Sequence, residues 1–397
     1  MSNGGPDDTG ERKEPVPGAV SYVDQPSPET KVEQKRPDVW TVVMGIVGGA
    51  LLGTGVTLAI LGVTGVFEEP PLPTAPTIPP PPTLTIPEPS TVPLPVVNPG
   101  VTSDVAERAI PSIVTVESSS FLGQAGGSGV VYGTDGYLIT NHHVIDGASS
   151  VAVVFFDGAR YPAEVIGSDA LTDIAVLRVD RPDLSPIDVG TSADLRIGEM
   201  AVAVGNPLAL LGGPSVTSGI VSALGRSLEL DGGTTLFGLV QTDAPITRGS
   251  SGGALLDGSA RLIGITTAIA VSDVGAEGLG FAIPIDMVIG IANDLIEMGE
   301  VRHALLGVEG TTALAEEAGA QYPAGVLVSE ILPDSAYEQG GGHVNDVIVY
   351  LDDVAIRTLD ELLTALRMRR ADQQVVIGVI RADADLEIDV TLGRLDV

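Results

Sequence analysis

Cysteine is absent from the 397-residue sequence, which excludes disulfides, thiol nucleophiles and thiolate metal sites. That absence does not by itself fix the compartment. Lysine is nearly missing as well, with Lys13, Lys31 and Lys35 all near the N-terminus. Against 52 acidic residues stand 20 basic ones, a formal net charge of −32, the reverse of the basic footprint that nucleic-acid binding needs. Such a charge keeps a chain soluble and self-repelling and suits high salt. Aromatics make up only 4% of the residues, but 44% hydrophobic residues with 50 glycines suffice for a compact, β-rich core. The length fits about two to three domains.

What is present first is a long uncharged run. Residues 1–38 are polar and aperiodic and read as a disordered cytoplasmic tail. Val39–Phe67 then carries no charge over 29 residues, and about 20 apolar residues cross a bilayer. A transmembrane helix is expected there. A buried core helix would be shorter and carry a polar face, and no clear A-x-A cleavage site precedes Glu68-Glu69. Lys35 and Arg36 lie just before the run, and no basic residue follows it until Arg108. The positive-inside rule therefore makes this a single-pass protein of the cell membrane, with everything after Phe67 extracytoplasmic and the lipid bilayer as a partner through residues 39–67. Gly45, Gly49 and Gly53 permit close helix–helix contact. Residues 68–100 hold thirteen prolines, an extended stalk reaching up to about 100 Å.

From Val101 to about residue 300 the pattern changes to short apolar runs between glycine, asparagine and aspartate. Ser112–Val116, Tyr137–Thr140, Ala175–Val179, Met200–Val204 and Arg261–Thr266 are examples. Close spacing and turn signals predict an antiparallel barrel or sandwich, and the lack of strand–helix alternation disfavours a parallel sheet. Ile285–Met298 reads as a closing helix with one apolar face.

Gln241–Leu256, QTDAPITRGSSGGALL, embeds Ser251 among Gly249, Ser250, Gly252 and Gly253. Glycines beside a serine allow a tight backbone whose N–H groups converge next to the hydroxyl, as acyl transfer requires. A serine hydroxyl needs a base to become a nucleophile. Two of four histidines, His142 and His143, follow the strand LITN, and Asp173 opens the strand IAVL. Each alone is more often a structural residue. A carboxylate at the edge of a buried strand needs a hydrogen-bond partner, however, and an imidazole N–H would serve. The order His–Asp–Ser is that of chymotrypsin-type enzymes. The same glycine knot also fits the G-x-S-x-G nucleophile elbow, but that motif needs a following helix and a downstream acid and histidine. Here Ala254-Leu255-Leu256 reads as a short strand, and the later His303 and His343 fall in another domain.

These stretches, with SGVVYGTDGYLITNHHVI, SDALTDIAVLRV and the later GLGFAIP, resemble the HtrA/Deg-type serine proteases over about residues 101–300. The resemblance implies a mainly β protein, a chymotrypsin-like double antiparallel β-barrel followed by a small α/β PDZ domain. It makes His143 the base, Asp173 the orienting acid and Ser251 the nucleophile, with the backbone N–H groups of Gly249 and Ser251 as the oxyanion hole. Ser250 stands where the family more often has asparagine. Pro245, six residues before the nucleophile, would floor the specificity pocket, with Ile265, Thr266 and Thr267 in an apolar wall that favours small apolar residues. No metal or organic cofactor is implied. Residues 303–397 resemble one PDZ domain, with Leu305, Leu306, Gly307 and Val308 as the carboxylate-capturing loop and Thr358–Glu361 as a capping box. Asn345-Asp346 stands where Gly-Asp is usual. Protein substrates, unfolded or with an exposed C-terminus, are the implied partners. A homotrimer is implied by resemblance alone. General degradation, trimming of one membrane substrate and an idle PDZ scaffold remain as roles, the last disfavoured by the intact triad.

Overall fold

The computed structural model describes residues 100–395 apart from 122, 207–212, 231–232, 268–278, 318–319 and 383. The expected tail, transmembrane helix and nearly all of the stalk lie outside the described residues. Among those described, no helix is long and apolar enough to cross a membrane.

Two closed antiparallel barrels make up the first part. One joins β1 (Ile113–Ser120), β2 (Gly123–Val131), β3 (Tyr137–Thr140), β6 (Ile174–Arg178), β5 (Arg160–Asp169) and β4 (Ser150–Val154) in that order. The other joins β10 (Ala254–Leu256), β11 (Leu262–Thr267), β12 (Gly280–Pro284), β9 (Thr235–Thr242), β8 (Ser215–Glu229) and β7 (Met200–Gly205). Strands β6, β7 and β11 read as continuous apolar runs because both of their faces are covered. In β6, Ile174 and Val176 enter one core while Ala175 and Leu177 enter another. The period of two is intact, but both faces call for apolar side chains, so no polar alternation remains in the sequence.

The first of these cores is shared. It gathers residues of both barrels, the short helix α1 (Val101–Ala109) and the helix α3 (Ile285–Met298), which matches the expected closing helix residue for residue. Helix α1 is not legible in the sequence, since only Val105 and Ala109, one turn apart, are buried. Strand β5 escapes for the same reason, with most of its side chains exposed or half-buried. Strand β8 extends over 15 residues, and its pairing with β9 shifts register three times. Such bulges break the alternation on which strand recognition rests.

The C-terminal part is a sheet in the order β14 (Val308–Glu317), β15 (Ala320–Ile331), β16 (Val347–Leu351), β18 (Gln374–Arg381) and β19 (Ala384–Thr391), with β17 (Val354–Ala355) beside β16. A two-stranded ribbon, β13 (Ala304–Leu305) with β20 (Gly393–Arg394), lies apart from it. After the one-turn helix α4 (Ala336–Gln339), helix α5 (Leu359–Arg367) starts where the capping residues predicted: the Thr358 hydroxyl accepts from the Glu361 N–H at 3.1 Å. It ends at Arg367. The expected Gly-Asp departure also has its explanation. Asn345 has φ +73, a left-handed conformation that asparagine tolerates better than most residues. Asp346, fully buried, accepts from Tyr337 and Arg381. Burial and the Asp346 contact push the Tyr337 phenol well above its ordinary range.

The two parts touch through α5. The Ser227 hydroxyl of β8 donates to Asp360 at 2.6 Å, and a side chain at Gly238 of β9 would collide with Thr364. Helix α3 closes the barrels with Leu295, which is fully buried. Replacing Leu295 by Ala is expected to lower the unfolding free energy by about 2–5 kcal/mol. Urea denaturation followed by circular dichroism checks this, and a loss below about 1 kcal/mol would detach the helix from the protease core.

Candidate active site

The site forms where the barrels meet. Asn141 follows β3 and caps the one-turn helix α2 (His142–Ile145). His143 Nδ1 lies 2.8 Å from Asp173 Oδ2 and 2.9 Å from Oδ1, and the His143 N–H donates to Oδ1 at 3.0 Å. The Asp173 side chain is 2% exposed and the His143 side chain 42%. The acid is therefore withdrawn from water while the imidazole still meets it. A carboxylate this deep is costly unless it is hydrogen-bonded, and a further donor, the Thr267 hydroxyl of β11, reaches Oδ2 at 3.1 Å.

Asp173 also has an unusual backbone, with φ +57. Two donors from the histidine side hold its carbonyl: Asn141 Nδ2 at 2.8 Å and the His142 N–H at 3.1 Å. The residue is thus gripped at both ends by the segment it would orient.

The serine loop is fixed from several directions. Gly249 has φ +89 and Gly252 φ +83. At Gly252 any Cβ would lie 2.1 Å from the Ser128 carbonyl, so only glycine fits. The Ser250 N–H donates to the Thr247 carbonyl, the Gly252 N–H to that of Thr266, and the Gly253 N–H to that of Ser250. Thr266 answers with its own N–H on the Gly253 carbonyl and its hydroxyl on the Ser250 carbonyl, the latter at 2.6 Å. Adjacent residues of β11 therefore grip the serine loop (Thr266) and the acid (Thr267), which ties Ser251 to the His143–Asp173 pair.

Ser128 supplies the second tie. Fully buried in β2, it donates its N–H to the Ser251 carbonyl at 2.7 Å and its hydroxyl to the Gly249 carbonyl at 2.7 Å. The same hydroxyl accepts from the Asn206 N–H at 2.8 Å, and the Ser128 carbonyl accepts from the Thr140 hydroxyl at 2.7 Å. Nothing local in the sequence marks Ser128, because its partners lie 12 to 123 positions away.

A cavity of about 220 Å³ opens beside the loop, lined by Ala203, Val204, Gly205, Ser215, Thr217, Pro245, Thr247, Ser250 and Thr266. Pro245 and Thr266 line this cavity. Ile265 and Thr267 do not line it. Strand alternation turns both to the opposite face, where Ile265 enters the shared core and Thr267 meets Asp173. The wall comes instead from β7 and β8, and none of its described side chains is charged.

In the C-terminal part, Leu305 pairs with Gly393, and the Leu306 side chain is buried in the core of that part. The Leu306 carbonyl accepts from Tyr337 and the Gly307 carbonyl from Leu332, each at 3.0 Å. Val308 opens β14, which stands at the edge of its sheet.

Two barrels with a histidine–aspartate pair and a glycine-bound serine at their junction define a trypsin-like peptidase. A trypsin-like peptidase domain model matches residues 127–265, and a PDZ domain model matches residues 296–392. Serine protease PepD of Mycobacterium tuberculosis is 32% identical over 394 residues, covering 93% of this chain and 81% of that protein. The periplasmic pH-dependent serine endoprotease DegQ of Escherichia coli is 43% identical over 272 residues, covering 67% of this chain. The chain spans 59% of the length of DegQ. The solved structure of the HtrA-type protease AlgW with tripeptide superimposes with a TM-score of 0.63 at 34% identity, over 75% of this chain and 98% of that one. The chain belongs to the HtrA-type serine proteases.

Replacing Ser128 by Ala removes the donor to the Gly249 carbonyl and strands the buried Asn206 N–H. A kcat lower by about ten- to a hundredfold is expected, with about 1–3 kcal/mol lost in stability. Steady-state kinetics on a fluorogenic peptide, paired with a denaturation curve, checks it. Unchanged kcat would show that the loop holds its shape without Ser128.

Proposed function

We propose that the protein is a membrane-anchored, extracytoplasmic serine endopeptidase that cleaves envelope proteins after small apolar residues. The observation that carries the reading is the buried Asp173 carboxylate bonded to His143 Nδ1, on a frame that also grips the Ser251 loop. In this reading His143 takes the Ser251 proton as the hydroxyl attacks the peptide carbonyl, then delivers it to the leaving amine. Asp173 fixes the imidazole tautomer and stabilises the cation. The N–H groups of Gly249 and Ser251 receive the oxyanion. Water then repeats the attack on the acyl-enzyme.

Cleavage after Val, Ala or Ile is supported by a cavity wall of small apolar and hydroxyl side chains without charge. The PDZ domain would take a substrate's C-terminal segment as an added strand along the edge strand β14, with Leu305–Val308 at the carboxylate. AlgW, solved with tripeptide and decapeptide ligands, supports a peptide-binding role for this chain. The anchor rests on the uncharged Val39–Phe67 run and the basic residues before it, and relatives named as periplasmic support an extracytoplasmic catalytic part.

Ser251→Ala is expected to lower casein cleavage by at least about a thousandfold, measured on purified protein. Cleavage at the wild-type rate would overturn the nucleophile assignment. In a fluorogenic peptide panel, Val, Ala and Ile at the cleavage position are expected to exceed Arg in kcat/KM. A preference for Arg would contradict the uncharged pocket.

A further inference from the structure

His303 lies between α3 and β13 and is 1% exposed. Its main chain belongs with the C-terminal domain. It forms a bridge with Arg370, its carbonyl accepts from the Leu395 N–H at 2.9 Å, and the neighbouring Arg302 carbonyl accepts from Ala371 at 2.9 Å. Its side chain points the other way. Nε2 meets Asp169 Oδ1 of the first barrel at 2.8 Å.

Asp169 closes β5 and heads the turn that leads to the active site. Its second oxygen, Oδ2, accepts from the Thr172 N–H at 3.1 Å and from the Thr172 hydroxyl. Thr172 is 3% exposed and directly precedes Asp173. A buried chain of contacts thus runs from a residue seated in the PDZ domain to the orienting acid. That acid holds φ +57, a backbone state that persists in a non-glycine residue when its surroundings enforce it.

Asp169 is suited to such a role. Burial pushes its carboxyl up, but the His303 contact and the Thr172 hydrogen bonds outweigh it and hold the group below the usual carboxylate range. Arg367 of α5, a cation of the C-terminal domain, is buried within the field of the same acid, and its Nε has no partner among the described residues.

We infer that His303 is a positioning residue of the active site: through Asp169 and Thr172 it steadies the turn that presents Asp173, and the PDZ domain fixes His303. The inference rests on Asp173 being the orienting acid. Without the imidazole N–H, the Asp169 carboxylate is left buried and short of a donor. It then rotates toward other donors and releases Thr172, and Asp173 loses part of its hold on His143.

The test uses the whole chain. His303→Leu is expected to lower kcat on a fluorogenic peptide about tenfold while KM moves less than about twofold. His303→Gln, which presents an N–H near the place of Nε2, is expected to restore at least about half of kcat. The far-downfield proton resonance of His143 Nδ1–H should vanish in the Leu variant and return in the Gln variant. Full kcat in His303→Leu, a loss that Gln does not restore, or an unchanged resonance overturns the inference. Should His303→Leu fail to fold by circular dichroism, Thr172→Val removes the hydroxyl contact at constant shape. It is expected to lose kcat and the resonance alike, and wild-type kcat there overturns the inference equally. Ser251→Ala separates the two levels. If that variant still cleaves, the reading of the site has failed, whereas an inactive Ser251→Ala beside a fully active His303→Leu removes only the role of His303.

Discussion

A carboxylate exposed to only 2% of its surface, as Asp173 is, needs donors on every side, and the chain gathers them from two distant segments. His143 brings its ring and its backbone N–H, Thr267 brings a hydroxyl from the second barrel, and Asn141 and His142 secure the carbonyl. Satisfying this one charge brings the barrels into register at their junction. Because Thr266 stands next to Thr267, the same strand that reaches the acid also shapes the serine loop. The Ser251 loop is therefore positioned by the strand that also helps bury the acid.

The packing explains why such a junction is rigid enough for chemistry. One apolar core runs through both barrels and into helices α1 and α3. Strands buried on both faces leave little room for a barrel to slide without opening cavities. The polar contacts sit at the rim of that core, where Ser128, Thr140, Asn141 and Thr266 are all buried and engaged with main-chain groups. A buried hydrogen bond to a backbone carbonyl contributes about 1 kcal/mol, but losing one member strands its partner at greater cost, so these residues hold one another in place.

The C-terminal domain is joined to this frame by more than a linker. Helix α5 lies against β8 and β9, and Arg370 pairs with Asp294 of α3. His303, seated by one domain and bonded into the other, extends that contact to the turn before Asp173. Peptide capture at the edge of β14 and catalysis at Ser251 therefore belong to a continuous mechanical unit in the reading advanced above.

Much of this was legible in the sequence because it is local. The glycine knot around Ser251, the histidines closing β3, the aspartate opening β6, the cap of α5 and the whole of α3 are written in adjacent residues or in a clean helical period. Strand β5, helix α1 and the length of β8 were not, since exposure and bulges erase the alternation that would mark them. Nor did the sequence reveal which face of β11 each residue takes. Ile265 and Thr267 lie on one side and Thr266 on the other, so one residue of the expected wall lines the cavity, one fills the core and one holds the acid. The sequence alone determined the kinds of group available and their local backbone. Only the tertiary structure decided their partners, because contacts such as Ser128 with Gly249, 121 positions apart, depend on how two closed barrels meet and leave no periodic trace in either segment.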